Sequence, residues 1–276
     1  MKAAASPDTF LVHEGSSVEV AGVSKSFRRK GESLSVLQGI SLEAAGGEFI
    51  SVIGPSGCGK STMFNILAGL EVPDSGDVRV NGAVVTGQTE HFAYMPQKDL
   101  LFPWRRVIDN AGLGLEIQGM KRSQARARVE PLLETFGLTE FASCYPFELS
   151  GGMRQRVALL RTVVQGRPVV LLDEPFGALD YLTRTDLQLW LSSMWEQFHW
   201  TVILVTHDVP EAVLMSDRVY VLGARPATVK RVVEVDLGRP RGLDCLGTAH
   251  FAELEEVLLQ ELRTPERPAD GLEIRR

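Results

Sequence analysis

The segment that most restricts what this chain can fold into is Gly54-Pro55-Ser56-Gly57-Cys58-Gly59-Lys60-Ser61-Thr62. It follows the apolar run Phe49-Ile50-Ser51-Val52-Ile53 and fits the pattern G-x-x-x-x-G-K-[ST]. A strand, a glycine-rich turn and a helix opening at Lys60 are expected in that order. Glycines let successive backbone N–H groups curl round a polyanion without Cβ clashes. The N-terminus of the following helix adds partial positive charge. Lys60 is placed to reach the β- and γ-phosphates of a nucleotide, and the Ser61 hydroxyl to ligate Mg2+. Cys58 inside the loop has two readings, a small residue that fits or a redox-sensitive thiol. The sequence shows no activating partner for the second.

Bulk properties narrow the setting. The net charge of −6 argues against a nucleic-acid partner, since neutralising phosphates needs a basic face. Cys58, Cys144 and Cys245 are few and without C-x-x-C spacing, which points to free thiols in a reducing compartment and not to a disulfide framework or a zinc site. No apolar run approaches the ~18–20 residues of a membrane-crossing helix. Met1 to Glu14 lack the charged start and apolar core of a signal peptide. A chain of this kind would serve a membrane only by docking to another protein.

Along the chain, residues 1–16 read as a weakly patterned, flexible lead-in. Short apolar alternations between Ser17 and Glu48, broken by glycines, predict antiparallel strands. Lys60 to Leu70 reads as a helix stopping near Gly69. Strand-like pieces run from Asp77 to Met95 round the Asn81-Gly82 turn. Between Ile108 and Gly166 the periodicity turns helical, over Arg122 to Gly137 and Met153 to Gln165. Strand, helix and strand then follow over Val169–Leu172, Leu182–Phe198 and Val202–Val205, with β-like pieces at Val219–Leu222 and Val229–Val235. The alternation implies an α/β fold with a mostly parallel sheet covered on both faces. The tail after Gly238 shows helical character over His250 to Leu262.

Pro168-Val-Val-Leu-Leu-Asp173-Glu174-Pro175 reads as a buried strand delivering two carboxylates at its carboxyl end, where open α/β sheets bind ligands. Asp173 suits Mg2+, through water, and Glu174 suits polarisation of an attacking water as general base. A surface acidic pair would be the default for such residues alone. Paired with the phosphate loop, they make a hydrolase site.

Leu149-Ser150-Gly151-Gly152-Met153-Arg154-Gln155-Arg156 resembles the signature sequence of the ABC ATPases, a branch of the P-loop NTPases. The resemblance extends over residues 17–240 and implies an ABC ATPase domain with a mostly parallel core, an antiparallel β subdomain and a helical subdomain at about 98–165, before a tail at 241–276. It further implies that Ser150 and the amides of Gly151 and Gly152 cap the γ-phosphate of the opposite subunit's nucleotide, so that a homodimer sandwiches two ATP molecules. On the same basis Phe27 corresponds to an aromatic stacking on adenine, with burial as a core phenylalanine as its alternative. Gln97, in Tyr94-Met-Pro-Gln97, corresponds to the glutamine reaching Mg2+ and the attacking water. Gly177-Ala-Leu-Asp180 corresponds to the loop crossing the dimer interface, and His207 to the switch histidine contacting the γ-phosphate.

Lys98-Asp-Leu-Leu-Phe-Pro-Trp104-Arg105 has two readings, a filler of the helical subdomain's core or a groove for a short helix of a membrane subunit. With Asp173 to Asp180 and Ala224-Arg-Pro-Ala, it is similar to ATPases of nitrate, sulfonate and taurine importers. Phe102 lengthens the usual Leu-Leu-Pro-Trp spacing by one, and Gln155 to Val164 is bulkier than in relatives. The resemblance implies an ATP-hydrolysing importer motor at the cytoplasmic membrane face, working with integral permeases and, indirectly, an extracytoplasmic substrate-binding protein. The alternative is a soluble ABC ATPase acting on DNA, ribosomes or cofactor assembly, for which the sequence has neither an inserted coiled coil nor a second cassette.

Overall fold

A computed structural model describes residues 15–29, 32–177 and 179–264. Residues 1–14 of the lead-in expected over 1–16, Lys30, Gly31, Ala178 of the interface loop and the last twelve residues of the tail lie outside the described residues.

The sheet at the centre is built from strands too apolar to tolerate water on either face. β3 (Phe49–Ile53), β7 (Val169–Asp173) and β8 (Thr201–Val205) are buried at every position. With β6 (Phe92–Met95), β9 (Arg218–Leu222) and β10 (Val229–Glu234) they form the order β10-β9-β3-β8-β7-β6, parallel except for β10. Continuous Val/Ile/Leu runs are what a parallel sheet covered on both sides requires.

The two-residue period of the strands divides the core in two. Val170, Leu172, Val202, Leu204, Val219 and Val221 point to one face, covered by helices. Val169, Leu171, Ile203, Val205, Tyr220 and Leu222 point to the other. That second face packs on α1 (Lys60–Leu67) and on an antiparallel sheet of β1 (Val18–Arg29), β2 (Glu32–Ala44), β4 (Ser75–Val80) and β5 (Ala83–Val84), in the order β2-β1-β4-β5. Each fully buried Val, Leu or Ile contributes about 1.5–3 kcal/mol, so the register of these strands is strongly held.

The helical region comprises α2 (Val107–Ala111), α3 (Leu113–Ile117), α4 (Arg122–Val129) and α5 (Gly151–Val163). Its expected helix over 122–137 is shorter, because Pro131 has no N–H for the ladder and the chain tightens into a 3₁₀ turn at Glu130–Leu132. Asp109 of α2 is wholly inaccessible and receives two-pronged hydrogen bonds from Arg122 and Arg126 of α4. Those bonds, Arg122 first, hold its carboxyl well below the usual carboxylate range.

After β7 come α6 (Tyr181–Phe198), α7 (Val209–Met215) and α8 (Ala249–Arg263). Packing is continuous across residue 240. Arg241 is 5% exposed, and its guanidinium donates to the carbonyls of Val213 and Ser216 at the C-terminal end of α7 and to that of Val235 just after β10. A cation there is favoured by the helix dipole. Phe251, Leu254 and Leu258 of α8 then bury against the helix-covered face.

Candidate active site

Four segments meet at the carboxyl ends of adjacent parallel strands: the glycine loop after β3, Asp173-Glu174 ending β7, Gln97 beyond β6 and His207 beyond β8. This is the edge at which open α/β sheets present ligand sites.

In the glycine loop, Gly57 has φ +72° and Gly59 φ +131°. A Cβ on Gly59 would lie 2.8 Å from Leu37 Cδ2, so only glycine lets the loop press this closely against β2. Lys60, 8% exposed, donates from Nζ to the carbonyls of Gly54 at 2.7 Å and Pro55 at 3.1 Å. Pro55, Ser56 and Gly57 are exposed along the loop's outer side, as is Ser61, with Thr62 half-buried behind it. Cys58 is buried in the core on the β-sheet side, where it fills space as a small apolar residue.

Asp173, 7% exposed, accepts a hydrogen bond from Tyr94 Oη at 3.2 Å. Burial pushes its carboxyl up, with the Tyr94 hydrogen bond and Lys60 opposing and Glu174 adding to the rise. Burial and the Asp173 charge push the Tyr94 hydroxyl upward too, so it remains a protonated donor. A divalent cation would relieve the first of these costs. Asp173, the Ser61 hydroxyl and the Gln97 amide offer hard oxygen donors, a set that suits Mg2+ shared with phosphate oxygens better than a protein-only cage. Among the described residues there is no group of three or more His, Cys, Asp or Glu arranged to hold a metal.

Glu174 sits at φ +46°, a conformation that costs a non-glycine residue on the order of 1–3 kcal/mol. It is held there by its N–H donating to Val205 O at 2.8 Å and its carbonyl accepting from Gly177 N at 3.2 Å. The result aims its carboxylate between two loops. Gln97 Nε2 donates to Oε2 at 2.8 Å, and His207 Nδ1 lies 3.2 Å from Oε1. The strained glutamate thus brings together three residues drawn from widely separated parts of the chain.

Other expected site residues stand apart from this cluster. Ser150 caps α5, its Oγ accepting from Met153 N at 3.2 Å, with Gly151 and Gly152 in the first turn. Asp180 caps α6 by accepting from Thr183 N at 3.1 Å, and that amide lowers its carboxyl's pKa. Phe27 on β1 is 37% exposed, with Lys25 Nζ 5.3 Å from its ring centroid, so it is a surface aromatic and not a core one.

Lys98 to Arg105 is part core and part surface. Leu101 enters the helical core, while Leu100, Phe102 and Trp104 are exposed, Trp104 at 72%. The rings of Phe102 and Trp104 stack at 5.1 Å and 13°. The extra residue in the spacing therefore supplies the stacking partner. Buried Asn110 pins this loop, accepting from Phe102 N and donating to the carbonyls of Phe102 and Arg105. Sequence reasoning gave no role to Asn110, to Tyr94 or to Arg225, whose guanidinium donates to Gly57 O in the phosphate loop.

A phosphate loop joined to a carboxylate pair on one sheet edge defines a P-loop nucleotide hydrolase. Comparison with known proteins places it more narrowly. The profile of the ABC transporter family matches residues 37–177. The chain is 43% identical to an uncharacterised ABC transporter ATP-binding protein of Methanocaldococcus jannaschii, over 89% of this chain and 91% of that one. It is 38% identical to the aliphatic sulfonates import ATP-binding protein of Bacillus cereus, covering 88% and 95% of the two chains. With the taurine import ATP-binding protein of Pseudomonas aeruginosa the identity is 40%, covering 87% and 93%. Among solved structures, a dimeric ATP-binding cassette in a post-hydrolysis state, bound to ADP and Pi, superposes with TM-score 0.69 at 29% identity, covering 80% of this chain and all of that one. The chain belongs to the ATP-binding subunits of the ABC transporter family.

Proposed function

We propose that this chain is the ATP-hydrolysing motor of an ABC importer for sulfonate-, taurine- or nitrate-like small molecules. The observation that carries the catalytic part is the Glu174 carboxylate, joined to Gln97 at 2.8 Å and to His207 at 3.2 Å. Glu174 takes the proton of the attacking water, Gln97 orients that water, and His207 holds the γ-phosphate. Lys60 exchanges its two loop carbonyls for the β- and γ-phosphates, and Phe27 offers its open face to adenine. Mg2+, held by Ser61, Gln97 and, through water, Asp173, would neutralise charge developing on the phosphates.

Ser150, Gly151 and Gly152 serve the nucleotide on a second copy, which Asp180 also approaches, so ATP closes a homodimer and hydrolysis reopens it. Among the described residues no helix is long and apolar enough to cross a membrane. The chain works at the cytoplasmic face, docked to integral permeases through Leu100, Phe102 and Trp104, and an extracytoplasmic binding protein delivers cargo to those permeases. The names of the sulfonate and taurine relatives support this branch.

The test is co-purification from solubilised membranes. A multi-spanning permease should accompany the native chain and be lost with Trp104→Ala, while the variant's intrinsic ATP hydrolysis persists. Undiminished permease recovery with Trp104→Ala would refute the docking surface. Absence of any permease with the native chain would favour a soluble ATPase.

A further inference from the structure

Arg184, in the first turn of α6, lies between two loops that the proposed mechanism uses and belongs to neither. Its Nη2 donates to the carbonyl of Leu179 at 3.1 Å, in the loop ending at Asp180. Its Nη1 donates to Oδ2 of Asp208 at 3.1 Å, the residue that follows His207. Asp208 is itself fixed at two further points: Oδ1 accepts from Glu211 N at 3.0 Å to cap α7, and its own N–H donates to Thr206 Oγ1 at 3.0 Å. One turn along each helix, Gln188 Nε2 donates to the buried Glu211 carboxylate at 3.0 Å and makes a second strut between α6 and α7. The backbone from Thr206 to Glu211 therefore has little freedom of its own, and any displacement of Asp208 carries His207 with it.

The surroundings make Arg184 hard to replace. It lines a cavity of about 240 Å³ between α6, α7 and α8, and among the lining residues it is the only cation. Asp208, Glu211 and Glu255 line the same space. Burial raises the Glu255 carboxyl, and the Asp208 charge raises it further, so the α8 side offers Asp208 no attraction that competes with Arg184. Both members of the Arg184–Asp208 pair keep about a quarter of their side-chain surface, so the bond is screened but not dissolved by water. A planar guanidinium can meet two acceptors in different directions at once, which a lysine ammonium on a shorter stem does not reproduce.

We infer that Arg184 is a positioning residue that holds His207 against Glu174 through Asp208. Its grip on the Leu179 carbonyl makes that hold depend on the loop ending at Asp180. A second copy pressing on that loop would thus set the position of the histidine within the same chain. The inference rests on the site reading given above, in which His207 contacts the γ-phosphate and the Gly177–Asp180 loop meets the partner.

The experiment measures Mg2+-dependent ATP hydrolysis by the full chain, with phosphate release followed for hours so that residual rates are resolved. Arg184→Ala and Asp208→Asn should each lower kcat about 10- to 100-fold, the scale expected of a misplaced catalytic group, with KM for ATP within twofold of native. Asn still caps α7, so Asp208→Asn removes the ion pair without removing the helix start. It decides the matter alone if Arg184→Ala does not fold, and native kcat in Asp208→Asn overturns the inference. Arg184→Lys should recover less than half of the lost rate. Arg184→Ala added to His207→Ala should cost no further rate. An equal loss on both backgrounds means a structural role independent of the histidine and overturns the inference. If His207→Ala itself keeps native kcat, the site reading fails. If it is impaired while Arg184→Ala and Asp208→Asn are native, only the positioning role fails.

Discussion

Replacing Glu174 by glutamine tests the chemistry with little disturbance to the fold. Gln has the same shape and meets the same backbone demand at φ +46°. The native carboxylate accepts from Gln97 Nε2 at 2.8 Å and faces His207 Nδ1 at 3.2 Å. The amide has one oxygen, so it keeps one of these contacts and presents its NH2 to the other. The lost hydrogen bond costs about 1 kcal/mol, which in a domain of this size moves Tm by roughly 2–4 °C. The lost base costs much more. General-base catalysis is worth about 10²- to 10⁴-fold, or about 3–5 kcal/mol of barrier. ATP affinity should change little, because Lys60 and the glycine loop are untouched, and the dimer should accumulate because it no longer turns over. The assays are phosphate release with Mg2+ and ATP, and sedimentation velocity in ATP. Steady-state turnover within tenfold of native would show that the proton goes elsewhere, and the role assigned to Glu174 would be wrong.

Gly59→Ala places a methyl group 2.8 Å from Leu37 Cδ2 and 3.0 Å from Val36 Cγ1 at φ +131°. Overpacking and strain should cost about 2–4 kcal/mol, and calorimetry should show ATP binding weakened at least tenfold; an unchanged Kd would refute the close-packed loop. Ser150→Arg should abolish hydrolysis while the isolated monomer still binds ATP, and loss of monomer binding would put Ser150 in its own chain's site. Burial pushes the Glu211 carboxyl up from 4.5 to about 7. Its folded pKa exceeds its unfolded one, so its contribution is full below about 4.5 and is lost as pH rises through 7. Glu211→Gln should therefore stabilise the fold at pH 8 by about 3 kcal/mol and have no such effect at pH 4.5, read from urea unfolding at both pH values. Equal effects at the two would show that Glu211 does not titrate as its burial requires.

What the sequence made legible is what depends on neighbours along the chain. Val169 to Asp173 is a strand because five consecutive residues are buried, and the glycine loop is set by its own backbone needs. Helix ends were legible where a glycine marks them and less so at α4, which stops at Val129 and not at Gly137. α1 stops at Leu67, two residues before the Gly69 expected to end it, where the chain reverses at φ +72° and a side chain would strike Gln88. Partners brought in from afar were not legible at all. Tyr94 looks like any strand tyrosine until Asp173 of the next strand lies against it, and Arg184 looks like a solvated helix residue until Asp208 is seen. The tail shows the same limit: only three-dimensional packing reveals that Arg241 locks onto the end of α7.

The two halves of the proposed site are each satisfied locally, and that bears on how a dimer could open and close. Lys60 is hydrogen-bonded within its own loop, Ser150 to its own helix and Asp180 to its own helix. None of these bonds needs a second copy, so an open chain has few polar groups that closure alone would satisfy. A ligand shifts such an equilibrium only by interacting better with one state than with the other. In the proposed site a γ-phosphate would do so, accepting from Lys60 of one chain and from the amides after Ser150 of the other only when the two are apposed. Removing that phosphate removes the differential contact, and Lys60 returns to the loop carbonyls it holds here. On this reasoning it is cleavage, not nucleotide release, that withdraws the force holding the dimer closed.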